Sequence, residues 1–227
     1  MNNKLFVLSG ASGSGKTSLL KKIVIEKGLC KQAPKYSNRA ERKNELFDDI
    51  THVDKLDEKK CDIRYERYTI EYGINSNEIK AKLSNKSQIV IISDIKAISE
   101  INNKFGKDAS IVFVYLQNLC IDNLLKERHK LKLSDKKIKV LANHILDCRK
   151  AKNIKWLDSI AENIQQKIKD SFPNNIKYQE FIKRCESWIS IEIDYEDNKD
   201  LFDDTIRGET IDELYDKFYE IFQKHTK

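Results

Sequence analysis

Glycine, proline and methionine are scarce in this chain of 227 residues, which contains seven, two and one of them. Such a composition excludes collagen-like chains and Gly- or Pro-rich low-complexity segments. No apolar run approaches the roughly 18 residues that a membrane helix needs, and no signal-peptide pattern opens the chain. With 34% charged residues and a mean hydropathy of -0.62, the sequence predicts a cytoplasmic protein with one well-filled core.

Cysteine and charge exclude further classes of protein. The five cysteines are scattered and show no CxxC spacing, which favours reduced, buried thiols over disulfides or a zinc site. The net charge of +6 is spread among interspersed acidic and basic residues. Because no basic stripe alternates with aromatic residues, we expect no specific nucleic-acid partner. The lack of a long apolar run likewise predicts no membrane partner. The densest basic run lies at 129–139.

Three of the seven glycines fall within six residues of one another, after the apolar stretch at 4–9. They belong to the pattern G-x-x-x-x-G-K-S/T, which is typical of a phosphate-binding loop. In such a loop backbone N–H groups surround phosphates, Lys16 reaches the outer phosphates and Thr17 can hold Mg²⁺. The predicted nucleotide-binding residues are Gly10, Ala11, Ser12, Gly13, Ser14, Gly15, Lys16, Thr17 and Ser18.

Two further continuous β-branched runs, at 88–94 and 110–116, predict strands that are buried on both faces. Helical patterns at 17–24, 97–105 and 122–129 alternate with them, and a last strand at 202–206 precedes a helix at 211–222. Thr210 and Glu213 form a capping-box pattern before that helix. This alternation predicts a three-layer α/β fold around a parallel sheet.

Two segments exceed a minimal α/β unit. Residues 34–84 contain short alternating stretches, among them 63–70, which predict a small antiparallel hairpin region. Residues 129–195 are rich in helical patterns. We interpret both as insertions into one domain, 1–227, whose core comprises 1–33, 85–128 and 196–227.

A second candidate anion-binding site lies near the start of the first insertion, 34–84. Arg39 and Arg42 stand three residues apart after a short strand, in the sequence YSNRAER. The planar guanidinium suits bidentate contact with phosphate, so the pair can converge on one phosphate group.

The order of these features resembles the guanylate kinase family. There a loop of the type SGxSGxGK(S/T) is followed by S-x-T-T-R-x-x-R, a hairpin with Tyr-Gly, a strand ending in aspartate, a lid with arginines, and a closing strand and helix. This chain has LSGASGSGKTSLLKKI, YSNRAER, EYGI, IVIISD, LLKER and FDDTIRGETIDELYDKFYEIF in that order. The resemblance covers most of the chain outside 130–195.

The resemblance implies a kinase that uses ATP and Mg²⁺ and phosphorylates a phosphomonoester acceptor, foremost a nucleoside monophosphate. Residues 34–84 would bind the acceptor, and 129–195 would form the lid with a helical insertion. The implied acceptor-binding residues are Ser37, Arg39, Arg42, Tyr72 and Asp94. Lys16, Asp94 and Arg128 would act in catalysis, and Thr17 would hold the metal. Cations that neutralise developing charge suit phosphoryl transfer, which requires alignment more than covalent chemistry. The family has a second lid arginine, and none stands at the matching spacing in this chain. Lys139, Arg149 and Lys150 are the candidates to replace it.

Departures from the family pattern concern the acceptor's base. Ile50, Ile74 and Ile92 stand where the family has polar residues, and Glu66 is the candidate for the glutamate that reads guanine. Because losing polar readers abolishes discrimination by hydrogen bonding, guanine specificity is not expected.

Two alternatives remain open. The sequence Tyr-Gly-Ile at 72–74 resembles the ribose-bisphosphate kinases, which act on a sugar phosphate. The same departures also fit a catalytically inactive, guanylate kinase-like binding module. Apolar residues at helical spacing from Trp156 onward predict a homodimer or partner contact through 155–190.

Overall fold

A computed structural model describes residues 2–11, 13–40, 50–57, 59–67, 69–105, 111–117, 191, 194–208 and 210–227. The strands are β1 (Leu5–Gly10), β2 (Lys31–Gln32), β3 (Tyr36–Ser37), β4 (Thr51–His52), β5 (Ile63–Arg67), β6 (Ile70–Ile74), β7 (Gln88–Ile91), β8 (Ile111–Leu116) and β9 (Asp204–Ile206). The α-helices are α1 (Lys16–Lys21), α2 (Ser76–Leu83), α3 (Ile95–Phe105) and α4 (Ile211–Thr226). A π-helical segment (Lys22–Glu26) continues α1, and a short 3-10 helix (Lys199–Leu201) precedes β9.

The central sheet has five strands in the order β2-β7-β1-β8-β9. Every pairing in it is parallel; Leu8 of β1, for example, lies opposite Ile91 on one side and Val114 on the other. Each residue of β1 and β7 is buried, as their continuous apolar sequences predict. The predicted parallel sheet is therefore confirmed.

Apolar clusters cover both faces of this sheet. On one face, side chains of β1, β7 and β8 pack with α1, the π-helical segment and α4, including Leu19, Ile23 and Phe218. On the other face, α2 and α3 pack against the sheet through residues such as Ile79 and Ile98. Helices on both faces of a parallel sheet make the three-layer α/β fold that the sequence predicts.

A second sheet of four strands, in the order β4-β3-β6-β5, is formed within 34–84. The hairpin of β5 and β6 pairs Ile63 with Ile74 and Tyr65 with Tyr72, which confirms the predicted antiparallel region. The helix α2 that follows was not predicted. It begins after Asn75, whose side chain accepts a hydrogen bond from the backbone N of Glu78 at 3.0 Å.

The chain divides into two compact units. One comprises Met1–Gly10, Gly15–Asn118 and Asn198–Lys227, and the other comprises Ala11–Ser14 and Leu119–Asp197. The predicted helix at 122–129 lies outside the described residues, as does most of the predicted insertion at 129–195, of which the structure describes only 191, 194 and 195. Among the helices that the structure describes, none has the length and apolar character needed to cross a membrane.

Candidate active site

The glycine-rich segment turns sharply where β1 ends. Gly13 and Gly15 have φ angles of 85° and 92°, a region that side chains other than glycine rarely adopt. At Gly15 an added Cβ would also lie 3.3 Å from Leu214 Cδ1 and 3.4 Å from Ile211 Cδ1. Glycine is therefore required at the start of α1 for its backbone conformation and for packing against α4.

Lys16, the first residue of α1, turns its side chain back toward the end of β1. Its Nζ donates a hydrogen bond to the carbonyl oxygen of Gly10 at 2.8 Å. The same oxygen accepts a hydrogen bond from Ser93 Oγ at 3.0 Å, so the segment after β7 is tied to the start of the loop. The ammonium group is thereby held at the carboxyl edge of the sheet, where ligands of open α/β sheets bind.

Thr17 and Ser18 follow in the first turn of α1, with Thr17 half-buried and Ser18 exposed. Mg²⁺ takes oxygen ligands, usually one or two from the protein together with phosphate oxygens. The hydroxyl of Thr17 and the carboxylate of Asp94 are oxygen donors of this kind. Over the described residues, no group of three His, Cys, Asp or Glu side chains could hold a metal by itself. The chemistry of these donors therefore fits an ion that arrives with a nucleotide's phosphates.

Asp94 lies just beyond the carboxyl end of β7, three residues after Ile91. One of its carboxylate oxygens, Oδ1, accepts a hydrogen bond from the backbone N of Ala97 at 2.8 Å. This contact caps α3, which begins at Ile95. The cap fixes the direction of the carboxylate at the sheet edge.

Ser37 and Arg39 are linked at the end of β3. The fully buried hydroxyl of Ser37 donates to the carbonyl oxygen of Glu71 at 2.7 Å and accepts from the backbone N of Arg39 at 3.1 Å. The carbonyl oxygen of Arg39 lies 2.6 Å from Nδ1 of His52. Ser37 thus holds the backbone of Arg39 against β6, and its described contacts favour a positioning role over direct ligand contact.

Tyr72 lies across from Ser37 in the pairing of β3 with β6. Its ring stacks on that of Tyr65, with centroids 5.1 Å apart and an angle of 10° between the planes. Glu66, the candidate base reader, is exposed and pairs with Glu71 across the hairpin. The structure thus places Ser37 and Tyr72 on neighbouring strands of one small sheet, with Arg39 held directly after the first of them.

The three isoleucines at positions where the family has polar residues are all buried. Ile50, Ile74 and Ile92 are 8%, 0% and 1% exposed. Ile74 and Ile92 belong to the apolar cluster between the central sheet and the layer of α2 and α3. These side chains fill the core and offer no hydrogen bond to a nucleobase.

Several predicted site residues lie outside the described residues. They are Ser12, Arg42 and Arg128, the replacement candidates Lys139, Arg149 and Lys150, and the contact region 155–190. The predicted roles of these residues stay predictions.

Two residues with contacts in this region were not identified from the sequence. Ser93 bridges to Gly10, as described above, and Lys35 is buried with its Nζ 3.0 Å from the carbonyl oxygen of Ile91. Ser93 could have been found from its place directly before Asp94. Lys35 carries no periodic or motif signal, because a lysine in a loop is normally exposed.

Comparisons with known proteins also point to a resemblance to guanylate kinases. No protein-family model matches the chain. A guanylate kinase of Sulfurimonas denitrificans is 29% identical over 147 residues, which span 60% of this chain and 70% of that protein. The crystal structure of guanylate kinase from Anaplasma phagocytophilum matches with a TM-score of 0.52 and 14% identity, covering 99% of this chain and 86% of that one. Sequence and fold both agree with the resemblance: over those 147 residues the chain is similar to a guanylate kinase, and it has the three-layer α/β fold of the P-loop kinases.

Proposed function

We propose that this enzyme transfers a phosphoryl group from ATP, with Mg²⁺, to a phosphomonoester acceptor, foremost a nucleoside monophosphate. The observation that carries the proposal is the position of Lys16, whose ammonium is held at the sheet edge by Gly10 while Ser93 ties the neighbouring strand to the same carbonyl. A relative that is a guanylate kinase supports the same reaction class.

The donor side consists of the loop, Lys16 and Thr17. Backbone N–H groups in the turn and the ammonium of Lys16 would surround the phosphates of ATP. Lys16 would exchange its hydrogen bond with Gly10 for contacts to phosphate oxygens, which are stronger because both partners are charged. Thr17 would hold Mg²⁺, which supplies neutralisation of the charge on the transferring group.

The acceptor side consists of Arg39, Tyr72 and Asp94, together with Arg42. Arg39 would bind the acceptor's phosphate with its guanidinium, and Ser37 keeps the backbone of Arg39 in place. Tyr72 would contact the same phosphate or its sugar. Asp94, oriented by its cap on α3, would stand beside the metal and the acceptor, and Arg128 would close over the transferring group.

The acceptor's base contributes little to recognition in this proposal. The side chains at positions 50, 74 and 92 are buried isoleucines, which cannot form hydrogen bonds with guanine. Hydrogen-bonding sites reject wrong substrates strongly, whereas apolar contacts discriminate by one to two orders of magnitude at most. We therefore expect the enzyme to accept several monophosphates, and a sugar phosphate remains the second candidate because of the Tyr72-Gly73-Ile74 element.

The decisive experiment is a coupled ADP-release assay with ATP, Mg²⁺ and a panel of nucleoside and sugar monophosphates. We expect turnover that depends on the acceptor, and a loss of at least a hundredfold in kcat/KM for Lys16→Ala, in the range seen when a single stabilising group is removed. Lys21→Ala is the matched control, since Lys21 is exposed at the other end of α1 and should leave turnover unchanged. Turnover that no acceptor stimulates, or that survives Lys16→Ala, would contradict the proposal.

The burial of Ile50, Ile74 and Ile92 also fits a module that binds a partner without catalysis. Titration calorimetry separates the two functions, because the enzyme must bind ATP with Mg²⁺ and the module has no need to. Absence of ATP binding at millimolar concentration would favour the module. We place the protein in the cytoplasm and expect small-molecule partners, in keeping with its interspersed charges.

A further inference from the structure

Lys35 is a buried lysine where the two sheets of the first unit meet. The residue is 4% exposed, and lysine is almost never buried to this extent unless its charge has a partner. Its Nζ donates a hydrogen bond to the carbonyl oxygen of Ile91, the last residue of β7. Its own carbonyl oxygen accepts from the backbone N of Thr51 at 2.7 Å. Both its backbone and its side chain are therefore fixed.

The ammonium of Lys35 lies near Tyr72, one of the residues that the proposed function assigns to the acceptor. It is 6.0 Å from the centroid of the Tyr72 ring. Lys35 directly precedes β3, stands four residues before Arg39, and reaches the end of the strand that leads to Asp94. The pairing of β3 with β6 places Ser37 opposite Tyr72, so the strand that follows Lys35 lies beside the strand that carries Tyr72.

A fixed positive charge at this place has a strong electrostatic effect. Burial lowers the local dielectric constant, so an ammonium there attracts an anion more strongly than a surface lysine does. The family pattern S-x-T-T-R-x-x-R has a neutral serine four residues before its first arginine, and this chain has Lys35 there. The acceptor side of this chain thus carries one additional positive charge.

We propose that Lys35 is a specificity-determining residue that selects the acceptor by the charge of its phosphate group. It provides a fixed cation for a dianionic phosphomonoester and so makes the phosphate, instead of the base, the main source of acceptor affinity. The proposal rests on the proposed function. It complements the apolar isoleucines, which remove base recognition while Lys35 strengthens phosphate recognition.

The test measures acceptor binding by calorimetry with AMP, GMP, UMP and ribose 5-phosphate, using the full chain. Lys35→Gln keeps a donor for Ile91 but loses the charge, whereas Lys35→Arg keeps the charge. We expect Lys35→Gln to weaken all four acceptors by a similar factor of about ten or more, as for the loss of one charge-assisted contact. Its binding should also depend less on ionic strength, and Lys35→Arg should restore both properties.

Lys31→Met is the matched control. Lys31 is an exposed lysine of the same segment, and its substitution removes the same formal charge as Lys35→Gln does. A purely structural role for Lys35 would leave acceptor affinity and its salt dependence unchanged in Lys35→Gln, and this result would overturn the proposal. Weakening of one acceptor alone would overturn it as well, since it would place the contact on the base or sugar.

A measurement on the unmodified chain keeps the proposal testable if Lys35→Gln fails to fold. The methyl ester of a mononucleotide's phosphate carries one negative charge where the mononucleotide carries about two at neutral pH. Binding of the ester should be about tenfold weaker or worse, and equal binding would overturn the proposal. Acceptor binding without turnover would contradict the proposed function, and the affinity measurements would still test the role of Lys35. Turnover together with an unchanged acceptor affinity in Lys35→Gln would support the proposed function and overturn the role of Lys35.

Discussion

At the scale of single residues, Gly73 shows why a glycine follows Tyr72. A Cβ at this position would lie 2.6 Å from Cys61 Sγ, 2.8 Å from Cys61 Cβ and 3.0 Å from Leu56 Cδ2. We expect Gly73→Ala to destabilise the fold by about 1–3 kcal/mol, as overpacking does. Urea unfolding of the full chain measures this loss.

The control for Gly73→Ala is a double-mutant cycle with Cys61→Gly, which removes the two closest atoms. The cost of Gly73→Ala should be markedly smaller in that background, because the clash is a pairwise interaction. An unchanged cost would show that the close approach of Cys61 is not what requires glycine. The sequence identifies the Tyr-Gly pair only through the family resemblance. The physical reason for glycine at position 73 is its close packing against Cys61, twelve residues earlier in the chain.

Cys30 links burial to alkaline stability. Burial in the core raises the pKa of its thiol from the ordinary 9.0 to about 12, although the charge of Lys86 opposes the rise. Below pH 9 the thiol is protonated in both the folded and the unfolded state. Above pH 9 the unfolded chain loses this proton while the folded chain retains it. This group should therefore lower the free energy of unfolding by up to about 1.4 kcal/mol per pH unit as the pH rises from 9 toward 12.

The measurement for Cys30 compares urea unfolding of the wild type and Cys30→Ala between pH 8 and pH 10.5. Other groups that titrate in this interval affect both proteins equally. The wild type should lose stability more steeply, so that the difference between the two proteins shrinks with rising pH. Parallel curves would contradict the assignment of this pH dependence to Cys30.

At the scale of elements, the sequence predicts those whose signal is continuous. The predicted strands 88–94 and 110–116 correspond to β7 (Gln88–Ile91) and β8 (Ile111–Leu116), and the last helix begins at Ile211 as the capping pattern predicts. Its cap is confirmed by a hydrogen bond from the backbone N of Glu213 to Thr210 Oγ1 at 3.2 Å. Helix α3 begins two residues before the predicted start because Asp94 caps it.

Other elements lack a signal that sequence reasoning can use. The strands β2 and β4 have two residues each, too few for an apolar period, and they exist because neighbouring strands offer hydrogen bonds. Helix α2 is short, with two of its eight residues buried, and its start depends on the local Asn75 cap. The loop, Asp94 and Tyr72 could be named from the sequence, but the roles of Ser93 and Lys35 depend on contacts between distant segments.

At the scale of the whole chain, the two ends of the first unit meet. The backbone N of Asn2 donates to the carbonyl oxygen of Thr226 at 3.2 Å. The ring centroid of Phe6 in β1 lies 5.2 Å from the ring centroid of Phe218 and 5.5 Å from that of Phe222, and both of these residues belong to α4. Because β1 also leads into the glycine-rich loop before Lys16, packing of the last helix supports the strand that precedes this loop.

Phe218→Ala tests how far the fold depends on this closure. Phe218 is fully buried, and truncation of a buried phenylalanine costs about 3–5 kcal/mol. This is a large share of the roughly 5–15 kcal/mol by which domains are stable. The neighbouring Tyr219 is 39% exposed and stacks on Tyr215, so Tyr219→Ala should cost much less. Urea unfolding monitored by circular dichroism compares the two variants, and equal losses would show that α4 is not anchored through the face that carries Phe218.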